Sequence, residues 1–245
     1  MTSAVRYPVV ELRQYTLRPG QRDVLIELFD REFVESQEAE GMAIVGQFGD
    51  LDDPDRFVWI RGFGDMPARA RALAAFYGGP AWKAHRAEAN ATMIDSDNVL
   101  LLRPVSASSG FPAPSAARPP VGVAPARPSR ILVTLYYRDQ PFDQVFADFF
   151  ERQARPALIE AGATPLAWLQ TEYAENTFPA LPVRTGENVF AWLARFPGPA
   201  GLDDYLRQAA QPGNWRDRVL PALSAMITGP PQQLRLAPTA RSLLR

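Results

Sequence analysis

Phe57-Val58-Trp59-Ile60-Arg61-Gly62-Phe63 returns 133 residues later as Phe190-Ala191-Trp192-Leu193-Ala194-Arg195-Phe196. The same offset carries Leu73 to Leu206, Trp82 to Trp215, Met93 to Met226 and Leu101 to Leu234. Upstream, an offset of 121 relates Tyr15 to Tyr136, Phe29 to Phe150, Arg31 to Arg152 and Gly41 to Gly162. Rare residues in order at a constant spacing mark one fold unit written twice. The offset changes once, by 12, so the second copy carries one longer loop, near 172–187. A duplicated unit is expected to bury matching surfaces against its sister, with a ligand held between them.

The first copy reads strand, helix, strand, strand, helix, helix, strand. Positions 9–16 alternate apolar and polar, and Leu17-Arg18-Pro19-Gly20 ends the strand. Val24, Leu25, Leu28, Phe29 and Phe33 form a helical stripe over 21–40, with Gly41 as its C-terminal stop. Strands are predicted at 42–48, 56–63 and 98–104, and helices at 67–77 and 82–93. The turn at 49–55 is rich in aspartate, and Asp50, Asp52, Asp53 and Asp55 read as a solvated turn; a calcium loop would need a glycine and a terminal glutamate in other places. The second copy repeats the order, with strands at 131–138, 164–171, 188–196 and 232–236. This is the split βαβ plan, an antiparallel sheet with helices on one face. Its bare face has to be covered, and the sister sheet is the simplest cover. The fold class is therefore α+β: two tandem ferredoxin-like βαββαβ units, sheets packed face to face. The units are residues 1–104 and 130–238. A Pro/Ala/Ser-rich linker, 105–129, reads as extended and unpacked, and a tail, 239–245, reads as frayed.

At 245 residues the chain accommodates two cores of ordinary size. A net charge of −1 gives no footprint for nucleic acid or an anionic membrane. With no cysteine, disulfides, thiolate metal sites and a cysteine nucleophile are excluded. No apolar run reaches the length that spans a bilayer, and Met1 to Pro8 lacks the apolar stretch of a signal peptide, so a cytoplasmic location is expected. The expected partner is a small molecule, with the chain a monomer carrying an internal pseudo-dimer, or a homo-oligomer.

Alternation puts Val10, Leu12 and Gln14 on one face of the first strand and Glu11, Arg13 and Tyr15 on the other. The second copy has Ile131, Val133 and Leu135 against Leu132, Thr134 and Tyr136. The first row, apolar in both copies apart from Gln14, suits packing against helices. The row that keeps tyrosine but changes its charges is expected to line the space between the sheets. Trp59, Arg61 and Phe63, with Trp192 in the second copy, are assigned to the same lining. Glu11, Arg13 and Tyr15 are the candidate catalytic set, with Arg13 holding an anionic group, Glu11 as base and Tyr15 as donor. The competing reading is an internal ion pair without chemistry.

Glu11-Leu12-Arg13-Gln14-Tyr15-Thr16-Leu17-Arg18-Pro19-Gly20 resembles the opening signature of NIPSNAP domains, a Glu-x-Arg-x-Tyr strand entering a glycine-led helix. Trp59, Trp82 and Met93 look like the rest of that pattern, over about residues 8–104. The second unit keeps Tyr136, Gly162, Trp192 and Trp215 but lacks the glutamate and arginine. The resemblance implies a dimeric α+β barrel, closed here within one chain. That superfamily includes cofactor-free monooxygenases, haem-degrading enzymes, dye-decolourising peroxidases and lactone isomerases. The expectation is a NIPSNAP-like protein binding a small, partly apolar organic ligand, acting as a cofactor-independent monooxygenase- or isomerase-like enzyme. The alternative is a non-enzymatic interaction scaffold with a filled barrel.

No cofactor is expected. His85 is the sole histidine, and a helical histidine is the iron ligand in haem-binding relatives of this fold. Here it lies beside Lys83, Arg86 and Glu88 and reads as a surface residue. Trp82 and Trp215 read as packing anchors. The longer loop of the second copy reads as a lid or an interaction edge.

Overall fold

The computed structural model describes residues 6–123 and 129–245. In the first copy, strands β1 (Val9–Leu17), β2 (Ala43–Asp50), β3 (Arg56–Phe63) and β5 (Val99–Pro104) lie in the order β2-β3-β1-β5. A short strand, β4 (Met93–Asp95), hooks onto the end of β1. The second copy arranges β6 (Arg130–Arg138), β7 (Pro165–Thr171), β8 (Asn188–Phe196) and β9 (Gln232–Pro238) as β7-β8-β6-β9. Adding 121 to the limits of β1 reproduces those of β6.

Helices α1 (Arg22–Leu28) and α2 (Val34–Ala39) run on from one another through a π-helical turn, Phe29–Phe33. Their counterparts α5 (Gln144–Phe149) and α6 (Arg155–Glu160) flank a π turn at Phe150–Ala154. Gly41 and Gly162 follow the two helical stretches with φ of 87° and 99°, the left-handed stop that a side chain would strain. The first copy then has α3 (Met66–Gly78) and α4 (Pro80–Thr92). The second has α7 (Pro199–Ala209), a π turn at Trp215–Val219 and α8 (Leu220–Ser224).

The two sheets join at both edges. β2 pairs with β9 through Phe48↔Pro238 to Asp50↔Leu236, and β5 pairs with β7 through Leu102↔Thr171 to Pro104↔Leu169. With these joints each of the eight long strands has a neighbour on either side, so the sheet closes as a dimeric α+β barrel formed within one chain.

The faces, however, are the reverse of those expected. Val10, Leu12, Val58 and Ile60 meet Ile131, Val133, Val189 and Leu193 inside the barrel. Tyr15, Trp59 and Phe63 instead pack under the first copy's helices with Phe29 and Phe33, as Tyr136 and Trp192 do in the second with Phe146 and Phe150. Glu11, Arg13 and Arg61, and Thr134 in the second copy, share that helix-facing row by strand alternation and register. The row expected to line a ligand therefore does not lie between the sheets. The physical reason is width. An eight-stranded barrel is just wide enough for side chains from its own strands to fill, which suits branched aliphatics, whereas large rings and long guanidiniums fit the deeper sheet–helix layer.

The linker is also more ordered than its composition implies, and the tail more than its place at the chain end implies. Residues 124–128 of the linker lie outside the described residues, as do residues 1–5, on which part of the signal-peptide reading rested. In the rest of the linker Phe111 is buried and joins the barrel core, and the Ser109 carbonyl accepts from the Trp168 amide at 2.9 Å. In the tail Arg241 and Ser242 are buried. Arg241 pairs with Glu35, donates to the Asp30 carbonyl and reaches the Pro119 carbonyl at 2.9 Å. The tail thus ties α2, the π turn and the linker together at one end of the barrel. Among the described residues no helix is long and apolar enough to cross a membrane.

Arg241→Ala should lower stability by about 1.5–3 kcal/mol, the usual contribution of hydrogen bonds to a charged group. It should also speed thermolysin cleavage within the linker. Urea unfolding and the mapped cleavage sites check both, and an unchanged cleavage pattern would show that the tail does not hold the linker.

Candidate functional site

Pairing of β1 with β3 sets Glu11 opposite Arg61 and Arg13 opposite Trp59. One carboxylate therefore stands among cations on a single sheet face. Glu11 Oε2 accepts from Arg13 Nη1 at 2.8 Å and from Arg61 Nε at 2.7 Å, and Oε1 accepts from Arg69 Nε at 2.6 Å. All four side chains are at most 1% exposed. Arg69 comes from α3, whose buried stripe is Arg69, Ala72, Leu73 and Phe76, so a charged residue holds an inward helical position. Arg61 Nη1 also donates to Gln37 Oε1 at 3.0 Å, and Gln37 Nε2 donates to the Phe33 carbonyl at 2.8 Å.

Burial alone would raise the Glu11 carboxyl, but Arg61, Arg13 and Arg69 overcome it and hold the group well below the usual carboxylate range. A carboxylate held so firmly is a poor proton acceptor, which counts against the role of base expected for Glu11. Burial pushes Arg69 down from its usual value, with Glu11 opposing. Arg13 lies over the rings of Tyr15 and Trp59 at 5.4 and 5.5 Å, and Arg61 over those of Trp59 and Phe63 at 5.0 and 5.6 Å. These cation–π contacts take part of the charge that Glu11 leaves uncompensated.

Arg13 Nε donates to the Tyr15 hydroxyl at 3.0 Å, leaving the Tyr15 proton free to be donated elsewhere. Burial raises the Tyr15 pKa and Arg13 opposes it. Tyr15 and Trp59 form the floor of a cavity of about 30 Å³, walled by Phe33, Gln37, Tyr77 and Trp82. Trp82 packs on Phe33, Phe76 and Tyr77, the anchoring role expected of it.

The roof comes from the other copy. The 172–187 loop, where the second unit's extra residues fall, crosses to the first. Asn176 Oδ1 and Thr177 Oγ1 accept from Arg69 Nη1 at 2.9 and 3.2 Å. Phe178 stacks on Tyr77 with ring centres 5.9 Å apart, and Leu181 packs on the first copy's core. Arg184 spans the barrel end, reaching Asn98 Oδ1 at 3.3 Å and the Tyr137 hydroxyl at 3.4 Å.

The second copy has no such cluster. Under the repeat offsets Glu11, Arg13, Gln37, Arg61 and Arg69 become Leu132, Thr134, Leu158, Ala194 and Leu202. Tyr136 is held there by Trp192 Nε1 at 2.8 Å. Thr134, Tyr136 and Trp192 thus belong to a separate apolar layer and do not meet Glu11, Arg13 and Tyr15. Sequence reasoning missed Gln37, Arg69, Tyr77, Asn176 and Thr177. The available signal for Gln37 and Arg69 was a polar residue inside an apolar helical stripe, aligned with leucine in the other copy.

His85 is partly buried where α4 meets the Phe29–Phe33 turn, with Nε2 3.3 Å from Glu32 Oε2 and its ring against Phe33. Asp50 is buried and its carboxylate closes the expected turn by accepting from the Asp52 amide at 2.9 Å. Among the described residues no group of three or more His, Cys, Asp or Glu side chains is placed to hold a metal ion.

The NIPSNAP family model matches residues 10–109, which is the first unit and agrees with the resemblance read from its opening strand. Among curated proteins none matches this sequence. A candidate monooxygenase from Fusobacterium nucleatum is similar over 96% of this chain and 93% of its own, with a TM-score of 0.57 at 12% identity. An anthrone oxidase-like protein covers 95% and 93%, with a TM-score of 0.51 at 13% identity. These likenesses extend to both units and show a shared fold. A NIPSNAP family protein from Agrobacterium tumefaciens is 20% identical over 40% of this chain and 93% of its own, with a TM-score of 0.38.

Glu11→Gln should destabilise the protein by about 3–5 kcal/mol, since it strands three buried guanidiniums. Because folding depresses the Glu11 pKa, its contribution is present above the unfolded value of about 4.5 and is lost as pH falls below it. Chemical denaturation at pH 7 and between pH 5 and 3 should show a loss in the wild type that flattens in the variant. Equal pH slopes would remove Glu11 from the acid response.

Proposed function

We propose that the first unit binds a small, partly apolar organic molecule in the layer between its sheet and its helices. Tyr15 donates a hydrogen bond to the ligand, and Trp59, Phe33, Tyr77 and Trp82 enclose its apolar body. The observation that carries this reading is the contrast between copies. The same fold is completed in the second unit with Leu132, Thr134, Leu158, Ala194 and Leu202, so the architecture does not require the charged network of the first. A buried set of ionisable groups that the fold can do without marks a binding or catalytic site.

The chemistry this site suits is polarisation of a carbonyl or enol oxygen by Tyr15, whose hydroxyl is steadied by Arg13. That assistance serves a proton-shifting isomerisation, or the reaction of an activated substrate with dioxygen, without a resident cofactor. The monooxygenase and oxidase-like names of structural neighbours that share the fold are consistent with the second route. A scaffold role is the other reading, favoured by the packed barrel interior and by the small volume above Tyr15 and Trp59.

Native mass spectrometry of the purified full chain should show a small-molecule adduct that is lost on gentle activation. Tyr15→Phe should reduce its occupancy about tenfold, the loss of roughly one hydrogen bond in a dry site. A chain that carries no adduct and binds no member of a panel of small aromatic and alicyclic compounds would leave the scaffold reading in possession.

A further inference from the structure

The cluster beneath the roof is short of negative charge. Glu11 is the only carboxylate paired with Arg13, Arg61 and Arg69 among the described residues, and the four together hold one negative and three positive charges. Exposure of 0–1% keeps them from bulk water, and an uncompensated charge in such surroundings is strongly disfavoured.

Donors also remain unused. Arg61 Nη2 and Arg69 Nη2 are buried and meet no acceptor among the described residues. Arg69 Nη1 meets only neutral oxygens, those of Asn176 and Thr177. Buried guanidinium nitrogens are ordinarily satisfied, and a planar fork with free donors matches a carboxylate.

We propose that Arg61 and Arg69 form an anion receptor for a carboxylate on the ligand, with the Asn176 and Thr177 oxygens occupying part of that place until the ligand arrives. This rests on the reading that the first unit binds a small organic molecule, and it names the molecule's class: an organic acid with an aromatic or branched apolar body. The acidic end pairs with Arg61 and Arg69, and the body lies toward Trp59, Phe33, Tyr77 and Trp82.

The route is set by the second unit's loop. Asn176 also forms part of the wall of a cavity of about 480 Å³ under the same loop, bounded by Leu101, Tyr173, Pro179 and Arg184. Besides its bonds to Arg69, the segment is held by Asn176 Nδ2 to the Leu181 carbonyl at 2.9 Å, the Phe178 amide to Asn176 Oδ1 at 3.1 Å, the Leu181 amide to the Phe178 carbonyl at 3.0 Å, Thr177 Oγ1 to the Met66 carbonyl at 3.3 Å, and the Phe178–Tyr77 stack. Displacing Asn176 connects that cavity with Arg69 and leaves the barrel untouched.

The test compares phenylacetate and benzoate with their neutral isosteres phenylacetamide and benzamide, using calorimetric titration of the full chain and thermal unfolding. The acids should bind at least 100-fold more tightly than the amides, and Arg69→Met or Arg61→Met should remove that preference. Asn176→Ala/Thr177→Val keeps every charge and removes the standing acceptors, so it should bind the acids several-fold more tightly. That gain is not expected if the arginines serve only to anchor the loop. The loop variant also keeps the proposal open to refutation should a buried arginine variant fail to fold. Equal binding of acids and amides overturns it, as does weaker acid binding in the loop variant. If amides or an apolar adduct still bind and Tyr15→Phe removes them, the small-molecule reading stands and the acid receptor alone falls. If no probe binds and no adduct is seen, both fall.

Discussion

The structure depends on closing the sheet. One unit alone has two open edges, β2 and β5, and one uncovered face bearing Val10, Leu12, Val58 and Ile60. Unpaired strand edges and an exposed apolar face of this kind invite association with other chains. The sister copy removes both problems together, through β2–β9 and β5–β7 pairing and an interdigitated interior. Carrying both copies on one chain makes the association intramolecular, at an effective concentration that a separate partner would rarely reach. The linker does more than connect, since Phe111 enters the core and Arg118 donates to the Ile44 and Arg241 carbonyls.

Closure decides where polar chemistry can sit. The barrel interior is filled mainly by aliphatic side chains from both sheets, with Phe48 and Phe111 among them, and its ends are crossed by the tail on one side and Arg184 on the other. Long polar side chains are left with the layer under the helices, where α3 brings Arg69 down onto Glu11. The π turns at Phe29–Phe33 and Phe150–Ala154 occur in both copies. Such turns often accompany functional sites, but their presence over the apolar second layer assigns them here to the shared fold.

The repeat, the strand limits, the glycine stops and the position of the longer loop were all legible, because each leaves a local mark at a fixed spacing. Which strand face looks inward was not. Alternation sorts Val10, Leu12 and Gln14 from Glu11, Arg13 and Tyr15, but both rows of a barrel strand are buried, so polarity does not say which side is the barrel. Gln14 shows the difficulty: it lies on the interior-facing row and is 1% exposed, with no hydrogen-bond partner for its amide among the described residues. The meeting of Glu11 with Arg61 follows from strand register, whereas that with Arg69 depends on the angle at which α3 crosses the sheet, a tertiary quantity. Proline and alanine content misrepresented the linker, and terminal position misrepresented the short tail, for a related reason. Their order comes from a few anchors, Phe111, Ser109 and Arg241, that composition averages away.

Duplication also explains how a site can be roofed by a segment remote in sequence. In a symmetric pair of identical units every substitution appears twice, so a loop lengthened to cover the partner would cover both sites and both clusters would have to be kept. Two copies on one chain are free to diverge. The second has exchanged its equivalents of Glu11, Arg13, Gln37, Arg61 and Arg69 for residues that a packed layer tolerates, with Phe146 and Phe149 standing where the first has Leu25 and Leu28. Relieved of a site, the second unit contributes its longer loop to the first, and the edge pairing of β5 with β7 brings that loop within reach of α3. The broken symmetry is thus a division of labour: one copy carries the polar cluster, and the other supplies half of the barrel and the cover.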